Sequence, residues 1–346
     1  MAEMIKKNYF FWGLLLTATL SGMLLMYQLV YSPVLPGSLQ SKIIRIPSGT
    51  DFQGLLLLLE EEKILSNTSV FSILSEKMNF KDGKIKPGQY KINKGINLIQ
   101  LVRKFRAGNQ EPVNVVLTTE RMPENVAAKV SSFIEPDSIS LNDIFSGNEI
   151  IGKEGFTKEN FQSLFIPNTY QMYWNTSAPA FLNRMKSEYD KFWASNQRLK
   201  KAASLALTPQ EVYTLASIVE KETQQNIEKK RIAGVYLNRL KIGMPLQADP
   251  TAVFARKDFL TRRVTDFHTK FDSPYNTYKY TGLPPGPITM SSISSIDAVL
   301  NYEKHNYLYF CAVGDESGLH SFATDLSEHN RNARIYRDNL IRRGLR

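Results

Sequence analysis

The chain opens on a long uncharged apolar run and then breaks into short alternating segments. Residues 9–31 carry no charge. At about 1.5 Å per helical residue they can cross a hydrocarbon core of about 30 Å. Residues 42–46 (KIIRI) read as a short strand stopped by Pro47-Ser48-Gly49. Asp51 is placed to cap a very apolar helix running to Glu62, and residues 66–78 form a second helix. Lys86-Pro87-Gly88 marks a turn before a strand at 89–92, and an amphipathic helix at 96–105 closes near Gly108. Strands alternating with helices predict a compact α+β module over 42–110.

Further on, 113–119 reads as a strand and 123–133 as a helix, followed by a polar, Gly-containing helical insert at about 137–160. Thr208-Pro209-Gln210-Glu211 is a strong helix start: Thr caps, Pro suits the first helical position, and Glu closes a capping box. Val212, Leu215, Ala216 and Val219 then make one buried stripe. Glu220 follows Ala216 by about 40° of rotation, so it sits at the stripe's border. Partial burial disfavours a charged carboxylate, which would let Glu220 hold a proton near neutral pH and deliver it. The next helix, 228–241, ends at Gly243, and 244–250 runs extended because Pro250 biases Asp249 away from helix. Asn276 and Tyr278 fall in a loop leading to GLPPGPI at 282–288. A helix at 292–302, strands at 307–313 and 319–323, and a last helix from about 324 complete the chain. The class predicted is α+β, with no internal repeat.

Composition narrows the function. The 346 residues are 42% hydrophobic and 22% charged, the balance of an ordinary globular protein. The single cysteine, Cys311, rules out an intrachain disulfide and lies in an apolar strand with no neighbouring base. The net charge of +10 is concentrated in the Arg-rich C-terminal turns; no nucleic-acid motif accompanies it, so no nucleic-acid partner is expected. The four histidines are scattered with no metal-ligand spacing, so neither a metal nor another cofactor is expected. Lys6 and Lys7 precede the apolar run and no Lys or Arg follows until Lys42. The positive-inside rule then leaves residues 1–8 in the cytoplasm, 9–31 in the membrane and the rest outside. A retained anchor is favoured over a cleaved signal peptide, because the run is long and no small-residue cleavage site follows it.

Four ordered stretches carry a resemblance: SIVEKET at 217–223, YLNRLKIGMPLQADP at 236–250, YNTYKYTGLPPGPI at 275–288, and the hairpin and helix at 307–330. Together they resemble the YceG-like family of endolytic murein transglycosylases. The resemblance implies a LysM-like module at 42–110 and a catalytic domain at 111–346. It also implies a bacterial inner-membrane protein, single-pass, with its catalytic domain periplasmic or otherwise extracytoplasmic. The activity implied is that of a lyase cutting the β-1,4 bond from N-acetylmuramic acid to N-acetylglucosamine in nascent peptidoglycan. The products would be 1,6-anhydro ends and the strands would be kept short. Peptidoglycan glycan strands would be the substrate, and peptidoglycan synthases (penicillin-binding proteins) the partners. Glu220 aligns with the family's catalytic glutamate; Gln247, Asp249, Asn276, Tyr278 and His320 are assigned to substrate binding. Asn168 stands where the family commonly shows Asp, the stretch Thr119-Glu120-Arg121-Met122 lacks the glycine usual after Glu, and Ala248 stands where Ser or Thr is common. A lysozyme-like hydrolase using Asp249, and a wall-binding scaffold without activity, are the competing expectations.

Overall fold

The first helix, Ala2–Tyr31, is continuous through the apolar run. In the computed structural model, residues 2–81, 83–147, 151–152, 155–261 and 263–345 are described, with side chains from Phe10 onward. Residues 10–31 form a helix long and apolar enough to cross a membrane, and its side chains are exposed. The chain divides into two compact units, one of residues 1–114 with 171–176, the other of 115–170 with 177–346. The architecture is mixed α+β with small two-stranded sheets.

In the first unit, β1 (Ser41–Ile46) pairs antiparallel with β2 (Gly88–Asn93), Ile44 opposite Tyr90. Three helices, Phe52–Glu61, Ser69–Lys77 and Leu98–Ala107, bring Leu55, Leu59, Phe71, Leu101, Val102 and Phe105 onto this ribbon. The caps anticipated from sequence form: the Asp51 carboxylate accepts from the Gly54 N–H at 2.7 Å, and Gly108 turns left-handed at φ 74°. A two-stranded ribbon is marginal in water, so burial against the helices stabilises it.

The second unit is mostly helical. Residues 161–207 hold elements the sequence pattern does not assign: a 3-10 turn Phe161–Leu164, β4 (Asn168–Tyr173) and helices Ala178–Ala194 and Arg198–Ser204. β4 pairs with β3 (Pro112–Leu117). Part of the insert expected at 137–160 is the helix Ser138–Ser146; 148–150 and 153–154 lie outside the described residues. Phe145 packs among Phe161, Phe165 and Phe181 with ring centroids 5.1–6.4 Å apart.

The helix Pro209–Glu222 lies at the centre, with every residue from Val212 to Val219 buried. It packs against helices Asn226–Lys241 and Ile293–Leu300. Its start is the capping box expected, the Thr208 hydroxyl accepting from the Glu211 N–H at 3.2 Å while Glu211 accepts from the Thr208 N–H at 2.8 Å. The GLPPGPI loop is tied to this helix by its polar side chains: the Ser217 hydroxyl accepts from the Ile288 N–H at 3.0 Å, and the Tyr213 hydroxyl accepts from the Ser291 N–H at 3.0 Å. Gly286 is obligatory, since a Cβ there would meet the Glu159 carbonyl at 1.9 Å. β5 (Tyr309–Ala312) and β6 (His320–Ala323) form an antiparallel hairpin covered by the final helix Leu326–Arg342. One expectation fails here. Asp249 opens a helix, Asp249–Arg256, instead of continuing an extended run, because Pro250 occupies its first turn, where no backbone donor is needed.

Candidate active site

The central helix ends in two glutamates with opposite surroundings. Glu220 lies nine residues from Lys229, which reaches back from the following helix; its Nζ is 3.1 Å from a Glu220 carboxylate oxygen. The same oxygen accepts from the hydroxyls of Ser292 and Ser295, and Lys229 also donates to Ser294 at 3.2 Å. Both members are largely buried, with side-chain exposures of 15% and 6%. Burial alone would raise the Glu220 pKa; the two serine hydroxyls and the Lys229 ammonium outweigh it and hold the carboxyl below its usual range. The proton-holding state expected of Glu220 is therefore corrected: its partners stabilise the charged form.

Glu222, one residue past Lys221, behaves in the opposite way. Its carboxylate accepts from the Tyr236 hydroxyl at 2.6 Å. Burial pushes its pKa up to about 7; the Tyr236 hydrogen bond opposes this, the negative Asp249 adds to it and Arg239 opposes it. Glu222 lines a cleft of about 480 Å³ together with Asp249, Arg121, Lys221, Phe259 and Ile288. Glu220 is not among the lining residues.

Each sequence motif contributes to holding this cleft. Arg239, from YLNRL, donates to the Leu308 carbonyl at 2.6 Å and to those of Leu246 and Pro245, fixing the QADP turn. Thr277 clamps the same turn, its hydroxyl accepting from the Ala248 N–H at 3.0 Å and its carbonyl from the Gln247 N–H at 3.0 Å. Asp249 thereby faces Glu222 from the start of its helix and accepts from the Tyr278 hydroxyl at 2.5 Å. Burial lowers the pKa of both Arg121 and Lys221 below their usual values, and the charge of Arg121 adds to the effect at Lys221.

The other residues assigned to substrate have different surroundings. Asn276 is fully buried, and its amide nitrogen donates to the carbonyls of Phe271 at 2.6 Å, Thr269 at 3.0 Å and His268 at 3.3 Å. Its oxygen accepts from the Tyr278 N–H at 3.1 Å. It organises the loop that carries Tyr278 and does not face the cleft. His320 is held by Glu228, which accepts from the ring Nδ1 side at 2.9 Å and from the His320 backbone N–H at 2.9 Å. Gln247 is exposed and adopts the left-handed region at φ 49°. Of the six residues singled out, Asp249 lines the cleft and Tyr278 touches it through Asp249. Among the described residues, no cluster of three His, Cys, Asp or Glu side chains is placed to hold a metal ion.

Glu222 was legible by the rotation already applied to Glu220. It follows Leu215 by seven residues, a rotation within about 20° of two full turns, and so continues the buried stripe. The Asn168 exchange preserves a local role, its side chain accepting from the Thr169 N–H at 2.8 Å.

This arrangement has relatives. The chain is 28% identical to an endolytic murein transglycosylase of Streptococcus pneumoniae over 88% of its own length, and spans about 61% of that relative. It is 29% identical to an endolytic murein transglycosylase of Bacillus subtilis, covering 86% of each chain. A crystal structure of a YceG-like protein from Listeria monocytogenes superposes with a TM-score of 0.55 at 28% identity, covering 84% of this chain and 98% of that one. The model of the YceG-like family matches residues 44–335, which include the central helix, the QADP turn and the GLPPGPI loop. The chain belongs to the YceG-like family.

Proposed function

We propose that this chain is an endolytic peptidoglycan lytic transglycosylase, anchored in the cytoplasmic membrane by residues 10–31, with Glu222 as its proton donor. The observation that carries the reading is a carboxyl raised to about 7 by burial, at the wall of a cleft, on a helix within the span that the family model matches. Such a group is half protonated near neutral pH, as an acid that must also serve as a base requires. Glu220 is the poorer donor, because Lys229, Ser292 and Ser295 stabilise its ionised form and occupy the oxygen they contact. In this reading Glu220 holds the helix end in place and Glu222 does the chemistry.

The step conserves its atoms without water. Glu222 gives its proton to the oxygen leaving with N-acetylglucosamine as the bond to the muramyl anomeric carbon breaks. The muramyl C6 hydroxyl then attacks that carbon, and its proton passes to the Glu222 carboxylate. A 1,6-anhydro end results and the acid is regenerated. Asp249, held by Tyr278, lines the same cleft, where a carboxylate favours the oxocarbenium-like transition state.

Asp249 also supports the competing hydrolase, in which it would activate water. Mass spectrometry of peptidoglycan digested by the full chain separates them: anhydro-muramyl ends support the transglycosylase, reducing ends the hydrolase. The tether would keep cleavage near the membrane, where strands are made, and so limit their length beside the synthases. The module at 42–110 is proposed to be LysM-like, on its antiparallel β1–β2 ribbon and the three helices packed with it.

A further inference from the structure

A second cavity adjoins the cleft. It encloses about 440 Å³, within the roughly 300–1,000 Å³ of ligand pockets. Three chain segments line both: Arg121 with its neighbour Met122, Val253 with Phe254, and Ile288 with Pro287 stand one in each. An aromatic series joins them. The Arg121 guanidinium lies 4.3 Å over the Phe259 ring, Phe259 is 6.2 Å from Phe254, and Phe254 is 4.8 Å from Tyr275. Phe259 lines the first cavity, while Phe254 and Tyr275 line the second.

None of the three rings is fully buried. An interior cluster would bury them, as the Phe145, Phe161 and Phe165 cluster is buried. Among the described residues the Tyr275 hydroxyl makes one long hydrogen bond, 3.5 Å to the Glu159 carbonyl, so its polar end is weakly engaged. The second cavity also presents Asn142 and Ser146, which are not buried. Partly exposed ring faces beside amide and hydroxyl groups match a pyranose, which offers an apolar C–H face and a rim of hydroxyls.

Resting on the transglycosylase reading, we propose that the second cavity is an extended glycan subsite. In it, Tyr275 and Phe254 stack a sugar ring of the same strand whose scissile bond lies at Glu222. An enzyme that cuts within a strand needs grip beyond the two sugars flanking the broken bond, and this wall supplies it on one side. Long strands are then preferred over short oligosaccharides, because only long strands reach the second cavity.

The test uses the full chain in detergent with peptide-free glycan strands and with muropeptide-derived tetrasaccharides. For Tyr275→Ala the ratio of kcat/KM on long strands to that on tetrasaccharides falls about tenfold, mostly through KM. Tyr275→Phe keeps the ring and keeps the ratio. Ser146→Trp occupies the cavity from an exposed position, leaves the aromatic series intact and lowers the ratio similarly; it serves where Tyr275→Ala does not fold. An unchanged ratio in Ser146→Trp and in folded Tyr275→Ala, with wild-type cleavage intact, overturns the subsite alone. A wild-type chain that cleaves neither substrate overturns the activity and the subsite with it.

Discussion

The Tyr236 hydroxyl donates to the Glu222 carboxylate across 2.6 Å, from the middle of one helix to the end of the one before it. This contact favours the ionised form, whereas burial and the charge of Asp249 favour the protonated form. The balance sets the carboxyl near 7, where it can donate and then accept.

Tyr236→Phe removes the one hydroxyl that opposes protonation. The Glu222 pKa should rise, and because the acid must be protonated to start the reaction, the alkaline limb of kcat/KM moves to higher pH. A displacement of roughly half to one unit is expected. A pH profile of glycan cleavage reads it directly, and a limb that stays in place or moves down contradicts the contact's role.

Lys229→Met leaves Glu220 buried without its cation. Breaking a largely buried pair from one side costs about 3–5 kcal/mol. The Tm should fall accordingly, with the greatest loss near neutral pH. The sign follows from the lowered folded pKa of Glu220. Its stabilisation is present above the unfolded value of about 4.3 and is lost as pH falls through the folded value below it. Scanning Tm against pH should therefore show wild type and variant converging in acid.

Asn276→Asp replaces the donors that satisfy three backbone carbonyls with acceptors that repel them. About 3 kcal/mol of stability should be lost, with KM for glycan in the surviving folded protein changed less than about threefold. A large KM change at unaltered Tm would return Asn276 to the substrate.

These residues also mark where sequence is informative. The Asp51 and Thr208 caps form where local chemistry predicts, since each depends on neighbours within four residues. Residues 161–207 were not assigned, because their apolar positions serve a core shared with distant segments, as when Tyr213 donates to the Phe165 carbonyl 48 residues away. The same limit applies at the site. Rotation places Glu220 at the border of the buried stripe and Glu222 on its continuation, but what holds Glu220 ionised is Lys229 on the next helix and Ser292 and Ser295, 72 and 75 residues on. Asn276 reads identically in sequence whether its amide meets a sugar or its own loop.

The most direct measurement compares glycan cleavage by full-length wild type, Glu222→Gln and Glu220→Gln, with products resolved by mass spectrometry and folding checked by Tm. Glu222→Gln should lose activity by roughly a thousandfold while remaining folded, and Glu220→Gln should retain measurable formation of anhydro ends. Full activity in Glu222→Gln would contradict the assignment of this carboxyl as the proton donor.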